Sequence, residues 1–386
     1  MHRLVPVLAL ICWLVSPPFP ALAGDPSLAT RKQAVIAQYA AIAQATYDDA
    51  LAGARGLAAA IEAFLAAPSA ESLQRARQAW IDARVPYLQS EAFRFYDGPI
   101  EAVEGLVNSW PIDENLIDYV DGEPDAGIVN QPRQFPVIDR ALIASLNEKG
   151  GEKNITAGFH AIEFLLWGQD LNDEGPGERQ FTDYVDGHGT NAERRRQYLR
   201  VASQLLVEDL ERVVAEWAPD KPGNYRAHFV AMPPDEALAG ILKGIGILSG
   251  AELAGERLTV AYETKEQEDE HSCFSDTTHL DIVHDVEGIE NVWLGRYVRV
   301  GGEHVEGAGL RDLVAIVDPA LARTLAQQVD AAVAAAAAVP APFDRAVQGT
   351  DKAPGRIAVR RLIAALRAQS DSIARAGAAL GLQLNF

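Results

Sequence analysis

The fold class is indicated most clearly by residues 191–217, which read NAERRRQYLRVASQLLVEDLERVVAEW. Apolar side chains recur there at intervals of three and four residues, which places them on one stripe of a helix. The residues of that stripe are Leu206, Leu210, Val213, Val214 and Trp217. The prolines in residues 219–222 end the pattern. The segment is therefore predicted to be one amphipathic helix.

Other parts of the chain show the same helical periodicity. A helix that starts near residue 71 is predicted to kink or restart at Pro86, because proline disrupts a helix interior. The other predicted long helices cover residues 27–66, 235–266, 319–339 and 355–380. Segments rich in glycine and polar residues, which are predicted to be loops, cover residues 97–136, 168–189 and 301–309.

Composition and the order of these segments extend the prediction to the whole chain. Alanine is abundant and aromatic residues make up only 7%, which favours helices over sheets. Each half follows the order of a long helix, a polar motif, an irregular excursion and closing helices. We therefore expect an all-α fold of two similar helical bundles, residues 24–225 and 226–386, related by an internal duplication.

The N-terminus has the pattern of a secretory signal. His2 and Arg3 precede an apolar run over residues 4–15, and residues 21–23 (Ala-Leu-Ala) form a cleavage site of the small-x-small type. The run is shorter than the roughly 20 apolar residues that a spanning helix needs. Residues 1–23 are predicted to be a cleaved signal peptide, so that Cys273 remains as the sole cysteine and the mature protein is periplasmic or located at the cell surface.

The charge balance limits the possible partners. The formal net charge is −20, which argues against nucleic-acid binding because phosphate contacts need clusters of lysine and arginine. It also argues against adhesion to anionic lipid. A strongly acidic surface is compatible with the approach of cations.

A histidine and a glutamate lie three positions apart within the apolar residues 158–168, GFHAIEFLLWG. On a helix, His160 and Glu163 share one face. Burying both side chains without hydrogen-bond partners would cost on the order of several kcal/mol. A metal ion or a dedicated hydrogen-bond network is therefore expected. The alternative is a core histidine that is hydrogen-bonded to its neighbouring glutamate. The spacing differs from the HExxH motif of zinc peptidases.

Two further segments carry candidate site residues. In residues 80–101, charged side chains alternate with aromatic ones, and the candidates are Arg84, Glu91, Arg94 and Glu101. A partly buried network of ion pairs is the alternative there. In residues 268–281, the candidates are Asp276, His279 and Asp281, and His284 follows. Ser275 or Asp276 is expected to cap the helix that contains His279.

Taken together, these segments resemble the imelysin family, also called iron-regulated protein A-like proteins. The resemblance is carried by GxHxxE at Gly158, His160 and Glu163, and by residues 84–95, 272–279 and 288–295. It covers nearly all of the mature chain. It implies two helical bundles with the GxHxxE site near their interface, in an exported bacterial protein associated with iron acquisition. The family has also been classed among metallopeptidases.

We therefore expect an exported metal-binding protein that takes up iron or an iron complex, with zinc as the other candidate metal. Its partners could include membrane-associated iron-transport components. Two alternatives remain: a zinc metallopeptidase, which lacks the usual third ligand and general base, and a non-metal module that binds a small ligand or a peptide. The expected metal ligands are His160, Glu163, Glu91 and His279. The expected orienting or anion-binding residues are Arg84, Arg94, Asp276 and Glu101.

Overall fold

The structure is a computed structural model that describes residues 27–172 and 175–384. The predicted signal peptide, residues 1–23, lies outside the described residues. The first eight α-helices are α1 (Leu28–Ala66), α2 (Ala70–Gln89), α3 (Glu104–Val107), α4 (Gly127–Asn130), α5 (Arg140–Leu146), α6 (Gly158–Trp167), α7 (Ala192–Trp217) and α8 (Tyr225–Ala231). They are followed by α9 (Pro234–Ile247), α10 (Val260–Thr264), α11 (Thr278–Leu294), α12 (Leu310–Val317), α13 (Pro319–Ala337), α14 (Phe343–Ala346) and α15 (Pro354–Ala379).

The remaining regular elements are short, apart from a π-helix at Leu248–Thr259 that joins α9 to α10. Short 3₁₀-helices cover Ser90–Phe93, Pro99–Ala102, Glu114–Leu116, Phe181–Tyr184 and Gln267–Asp269. The strands β1 (Arg296–Val298) and β2 (His304–Glu306) pair antiparallel, with Tyr297 opposite Val305. The all-α prediction is confirmed.

The break between α1 and α2 follows from the sequence. Ser69 and Ser72 form a reciprocal capping box that satisfies backbone N–H groups at the start of α2. The helix was expected to kink or restart at Pro86. The restart does not occur, because α2 continues through Pro86 to Gln89.

The long helices pack in two groups. In the first, α1 packs against α2 and α7, and α6 packs against α2 and α7. In the second, α15 packs against α9, the π-helix and α13, and α11 packs against α13. Contacts between α2 and α11 join the groups, and one continuous hydrophobic core runs through both. The expected division near residue 225 and the duplication stay predictions.

Two segments differ from their predicted secondary structure. Residues 301–309 are not a plain glycine-rich loop, because residues 304–306 form the second strand of the hairpin. The predicted helix over residues 235–266 changes to π-helical hydrogen bonding in its middle. The run Pro234–Thr264 is also long and apolar enough to cross a bilayer by length and composition, but 61% of its most apolar window is buried inside the molecule.

A buried ion cluster fixes the excursion before α6 against α7. Asp118 accepts hydrogen bonds from Arg179 at 2.7 Å and from Nε of Arg195 at 2.5 Å, and all three side chains are buried. Burial opposes ionisation of Asp118, but the two guanidinium groups outweigh it and lower the pKa of this carboxyl. Asp118 is thus the shared anion of two buried cations.

We expect Asp118→Asn to lower the free energy of unfolding by about 3 kcal/mol at pH 7, because it leaves the buried guanidinium of Arg195 without an anion and that of Arg179 with only Asp183, at 3.5 Å. A depressed pKa means that the ionised carboxyl stabilises the fold above its unfolded-state pKa of about 4, and that this contribution is lost as the pH falls through the folded-state pKa. The difference in the free energy of unfolding between variant and wild type should therefore be constant above about pH 5 and decrease below about pH 4. Urea unfolding at several pH values measures it.

Asp186→Asn is the matched control, because the Asp186 side chain is 77% exposed in its pair with Arg196. The control should change stability by less than about 1 kcal/mol. Equal losses in the two variants would contradict the assigned importance of the buried cluster.

Candidate functional site

The site is built around α6, the ten-residue helix that carries the histidine and the glutamate. All ten residues are buried. Gly158 begins the helix at φ +82°, and a Cβ there would lie 2.4 Å from the carbonyl oxygen of Val107. Only glycine therefore allows this close approach. The indole N–H of Trp80 donates to the carbonyl of Phe159 at 2.9 Å and fixes the start of α6 against α2.

His160 and Glu163 contact each other directly. Nδ1 of His160 lies 2.9 Å from Oε2 of Glu163. The other oxygen, Oε1, accepts hydrogen bonds from the backbone N–H and the hydroxyl of Ser275, at 3.0 and 2.6 Å. Both oxygens of Glu163 are thus engaged, whereas Nε2 of His160 is buried without a hydrogen-bond partner.

Burial sets the protonation of this pair. Desolvation, together with the positive charge of Arg84, lowers the pKa of His160 well below its usual value. Burial also raises the pKa of Glu163 to about 8, against the effect of the Ser275 hydrogen bonds. The imidazole is therefore neutral. In the tautomer whose proton is on Nδ1, that N–H donates to Oε2 of Glu163 and Nε2 presents a lone pair.

A second imidazole lies beside the first. The rings of His160 and His271 are 4.7 Å apart, centroid to centroid, at 70°. Nδ1 of His271 lies 2.7 Å from Oδ2 of Asp281, which also accepts from Arg84 at 2.8 Å and from Ser272 at 2.5 Å. Burial lowers the pKa of His271 to about 3, so this ring is also neutral.

The network continues through Asn108 to a second arginine. Arg84 donates to the Asn108 side-chain oxygen, and the amide of Asn108 donates to Glu91 at 2.9 Å. Glu91 also accepts from Arg257 of the π-helix, which in turn donates to Asp285 of α11 at 2.9 Å. Burial opposes ionisation of Glu91, but the arginine charges outweigh it and lower its pKa to about 2.

The structure brings together most of the predicted site residues, but in different roles. Arg84 and Glu91 belong to the network described above. Arg94 pairs with Glu91 at 3.4 Å and with Glu104 at 3.1 Å, at the edge of that network. The expected alternative of a buried ion-pair network therefore describes residues 84–94 well.

Other predicted residues lie elsewhere. Among the described residues, no hydrogen bond, ion pair or ring contact joins His279 to His160. The carboxylate of Glu101 accepts from the backbone N–H of Phe95 in the loop after α2. Neither Ser275 nor Asp276 caps α11, because the helix begins at Thr278 and its cap residue is Thr277.

Three residues of the site, His271, Arg257 and Asp285, were not selected from the sequence. His271 lies within the chemically dense segment 268–281, and its signal was masked by neighbouring acidic residues. Arg257 is a cation within an otherwise apolar helical run, which is a recognisable sign of a buried charge that needs partners.

Comparisons with known proteins agree with this architecture. A family model described as imelysin, and labelled a peptidase family, matches residues 43–373. An iron-regulated protein A from Synechococcus elongatus is 26% identical over 339 residues, which covers 86% of this chain and 81% of that protein.

Two solved structures share the fold. One is an iron-regulated protein A precursor from Parabacteroides distasonis, with a TM-score of 0.71 and 20% identity over 93% of this chain and 98% of that one. The other is an imelysin-like protein from Psychrobacter arcticum, with a TM-score of 0.63 and 13% identity over 95% of this chain and 100% of that one.

Proposed function

Since the chain belongs to the imelysin family, we propose that it is an exported metal-binding protein that takes up iron, and that Nε2 of His160 is its central ligand atom. The observation that carries the proposal is this buried nitrogen, which has no hydrogen-bond partner, on a histidine that is 1% exposed. An imidazole nitrogen suits iron and also zinc. Iron is favoured because relatives are named iron-regulated proteins.

Glu163 acts in this proposal as a positioning residue. Metal-bound histidines commonly donate their other N–H to a carboxylate, which fixes the ring and raises its basicity. Glu163 stands in that relation to His160, and Ser275 holds the carboxylate from the far side. The ligand pair expected from the spacing thus becomes one ligand and its support.

The remaining coordination positions have few free donors among the described residues. Glu91 and Asp281 are engaged by arginines, so neither carboxylate is available without breaking an ion pair. We infer that the metal arrives as a complex whose own ligands stay bound.

A place outside the cytoplasm suits this role. The signal peptide predicted at residues 1–23 would export the chain to the periplasm or the cell surface, where iron complexes enter from outside the cell. From there it would pass iron to membrane-associated transport components.

Calorimetric titration of the mature chain with ferrous iron, ferric citrate and zinc tests the proposal. We expect one iron per chain, bound more tightly as the citrate complex than as the free ion. Failure of all three to bind would overturn the proposal. Cleavage of a protein substrate that is sensitive to chelators and is abolished by Glu163→Gln would assign the peptidase function instead.

The support from Glu163 can be measured separately. We expect Glu163→Ala to weaken iron binding about 10- to 100-fold, the range found for outer carboxylate partners of metal-bound histidines. Glu163→Gln should weaken it less, because a side-chain carbonyl still accepts from Nδ1–H. Equal affinity of Glu163→Ala and wild type would show that the carboxylate does not position the ring.

A further inference from the structure

Three carboxylates from separate segments meet away from His160. Glu270 and Asp276 lie in the loop before α11, and Asp344 lies on α14. All three are buried, and one ligand oxygen from each lies within 4.8 Å of the others. The hydrogen bonds of the His160 site involve none of the three carboxylates of this cluster.

Glu270 is the least compensated member of the cluster. It is 1% exposed, and apart from the Thr278 side chain, which favours the ionised form, no hydrogen-bonding group of the described residues acts on its oxygens. In the part of the chain that the structure describes, no lysine, arginine or histidine forms an ion pair with Glu270 or Asp276. The charges that act on Glu270 are those of Asp344, Asp276 and Glu163, all negative.

The titration behaviour supports the same view of the surroundings. Burial and the charge of Asp344 raise the pKa of Glu270 well above its usual value. Burial and the charges of Asp170 and Asp344 raise the pKa of Asp276 to about 7. Glu270 and Asp276 are therefore stable either in the protonated form or with a cation between them.

We propose that Glu270, Asp276 and Asp344 bind a hard divalent cation, with calcium as the preferred ion. Two oxygen ligands of one Ca²⁺ lie at most about 5 Å apart, since each Ca–O distance is about 2.4 Å. Oxygens within 4.8 Å of one another can therefore share one ion. A ligand set made only of oxygen favours calcium or manganese over the softer metals that imidazole takes.

The cation would also order the loop that supports the histidine site. Residues 270–276 carry two of the cluster carboxylates and, between them, Ser275, which donates to Glu163. A bound ion would fix both ends of this segment. The calcium site uses none of the residues that are proposed to hold iron, so calcium can bind whether or not iron does.

Calorimetry on the chelator-treated mature chain, with Ca²⁺, Mn²⁺ and Mg²⁺ as separate probes, tests the proposal. We expect one calcium per chain and a rise in the melting temperature with calcium concentration. Glu270→Gln and Asp344→Asn should each weaken calcium binding at least tenfold. Glu268→Gln, an exposed change two residues from Glu270, should leave it unchanged.

His160→Ala should bind calcium like the wild type, which separates this site from the iron site. Calcium binding that is equal in Glu270→Gln and wild type would overturn the assignment. An absence of cation binding to the wild type would also overturn it, and a higher melting temperature of Glu270→Gln would then show that the carboxyls are stable in the protonated form.

Discussion

His160→Ala is expected to abolish iron binding, with a loss of affinity greater than about 100-fold. The variant removes the buried nitrogen that has no protein partner, whereas loss of an outer partner alone is worth about 10- to 100-fold. Titration with ferrous iron and ferric citrate, in competition with a chelator of known affinity, measures the change.

His284→Ala is the matched control for this variant. His284 lies on α11 and contacts Glu287 at 2.7 Å, away from the α6 pair. Its removal should leave iron binding unchanged. Thermal unfolding of both variants shows whether the fold is intact. Wild-type iron affinity in a folded His160→Ala protein would refute the assignment of His160 as ligand.

The helices could be predicted closely from local periodicity. The segment 191–217 was predicted as one helix, and α7 covers Ala192–Trp217. The helix predicted over residues 355–380 is α15, Pro354–Ala379. Amphipathic stripes give such accuracy because they depend only on neighbours three and four residues away. The π-helical stretch at Leu248–Thr259 leaves no comparable signal, because the same apolar stripe suits an α-helix.

The site could be predicted only in part, because its contacts are remote in sequence. The pairing of Arg84 with Asp281 spans 197 positions, and that of Glu91 with Arg257 spans 166. Sequence spacing identified the local pair of His160 and Glu163. It could not show that His271, rather than His279, lies against the ring of His160.

These remote pairings also hold the two groups of helices together. Arg84 of α2 pairs with Asp281 of α11, and Arg257 of the π-helix pairs with Glu91, which follows α2. His160, which is proposed above to bind iron, lies against His271, and His271 contacts Asp281 of this ionic network. A change in one arginine should affect both the stability of the fold and the geometry of the site.

Arg257→Met is expected to lower the free energy of unfolding by about 5 kcal/mol, at the upper end of the range for breaking a buried ion pair. Its guanidinium contacts Glu91, Asp285 and Glu252, and the first two carboxylates are fully buried. Methionine fills part of the volume but leaves Asp285 without its cation and leaves Glu91 with only the more distant Arg94, at 3.4 Å. Urea unfolding at pH 7 measures the loss.

Two further variants decide whether the buried charge is the cause of this loss. Arg55→Met removes an arginine whose pair with Glu211 is largely exposed, so it should cost less than about 1 kcal/mol. Adding Glu91→Gln to Arg257→Met should restore part of the stability, since it removes a buried anion that has lost its closest cation. If instead the stability lost in the double variant equalled the sum of the losses in the two single variants, the two residues would not be coupled. The loss in Arg257→Met would then come from the packing of the π-helix and not from the ion pair.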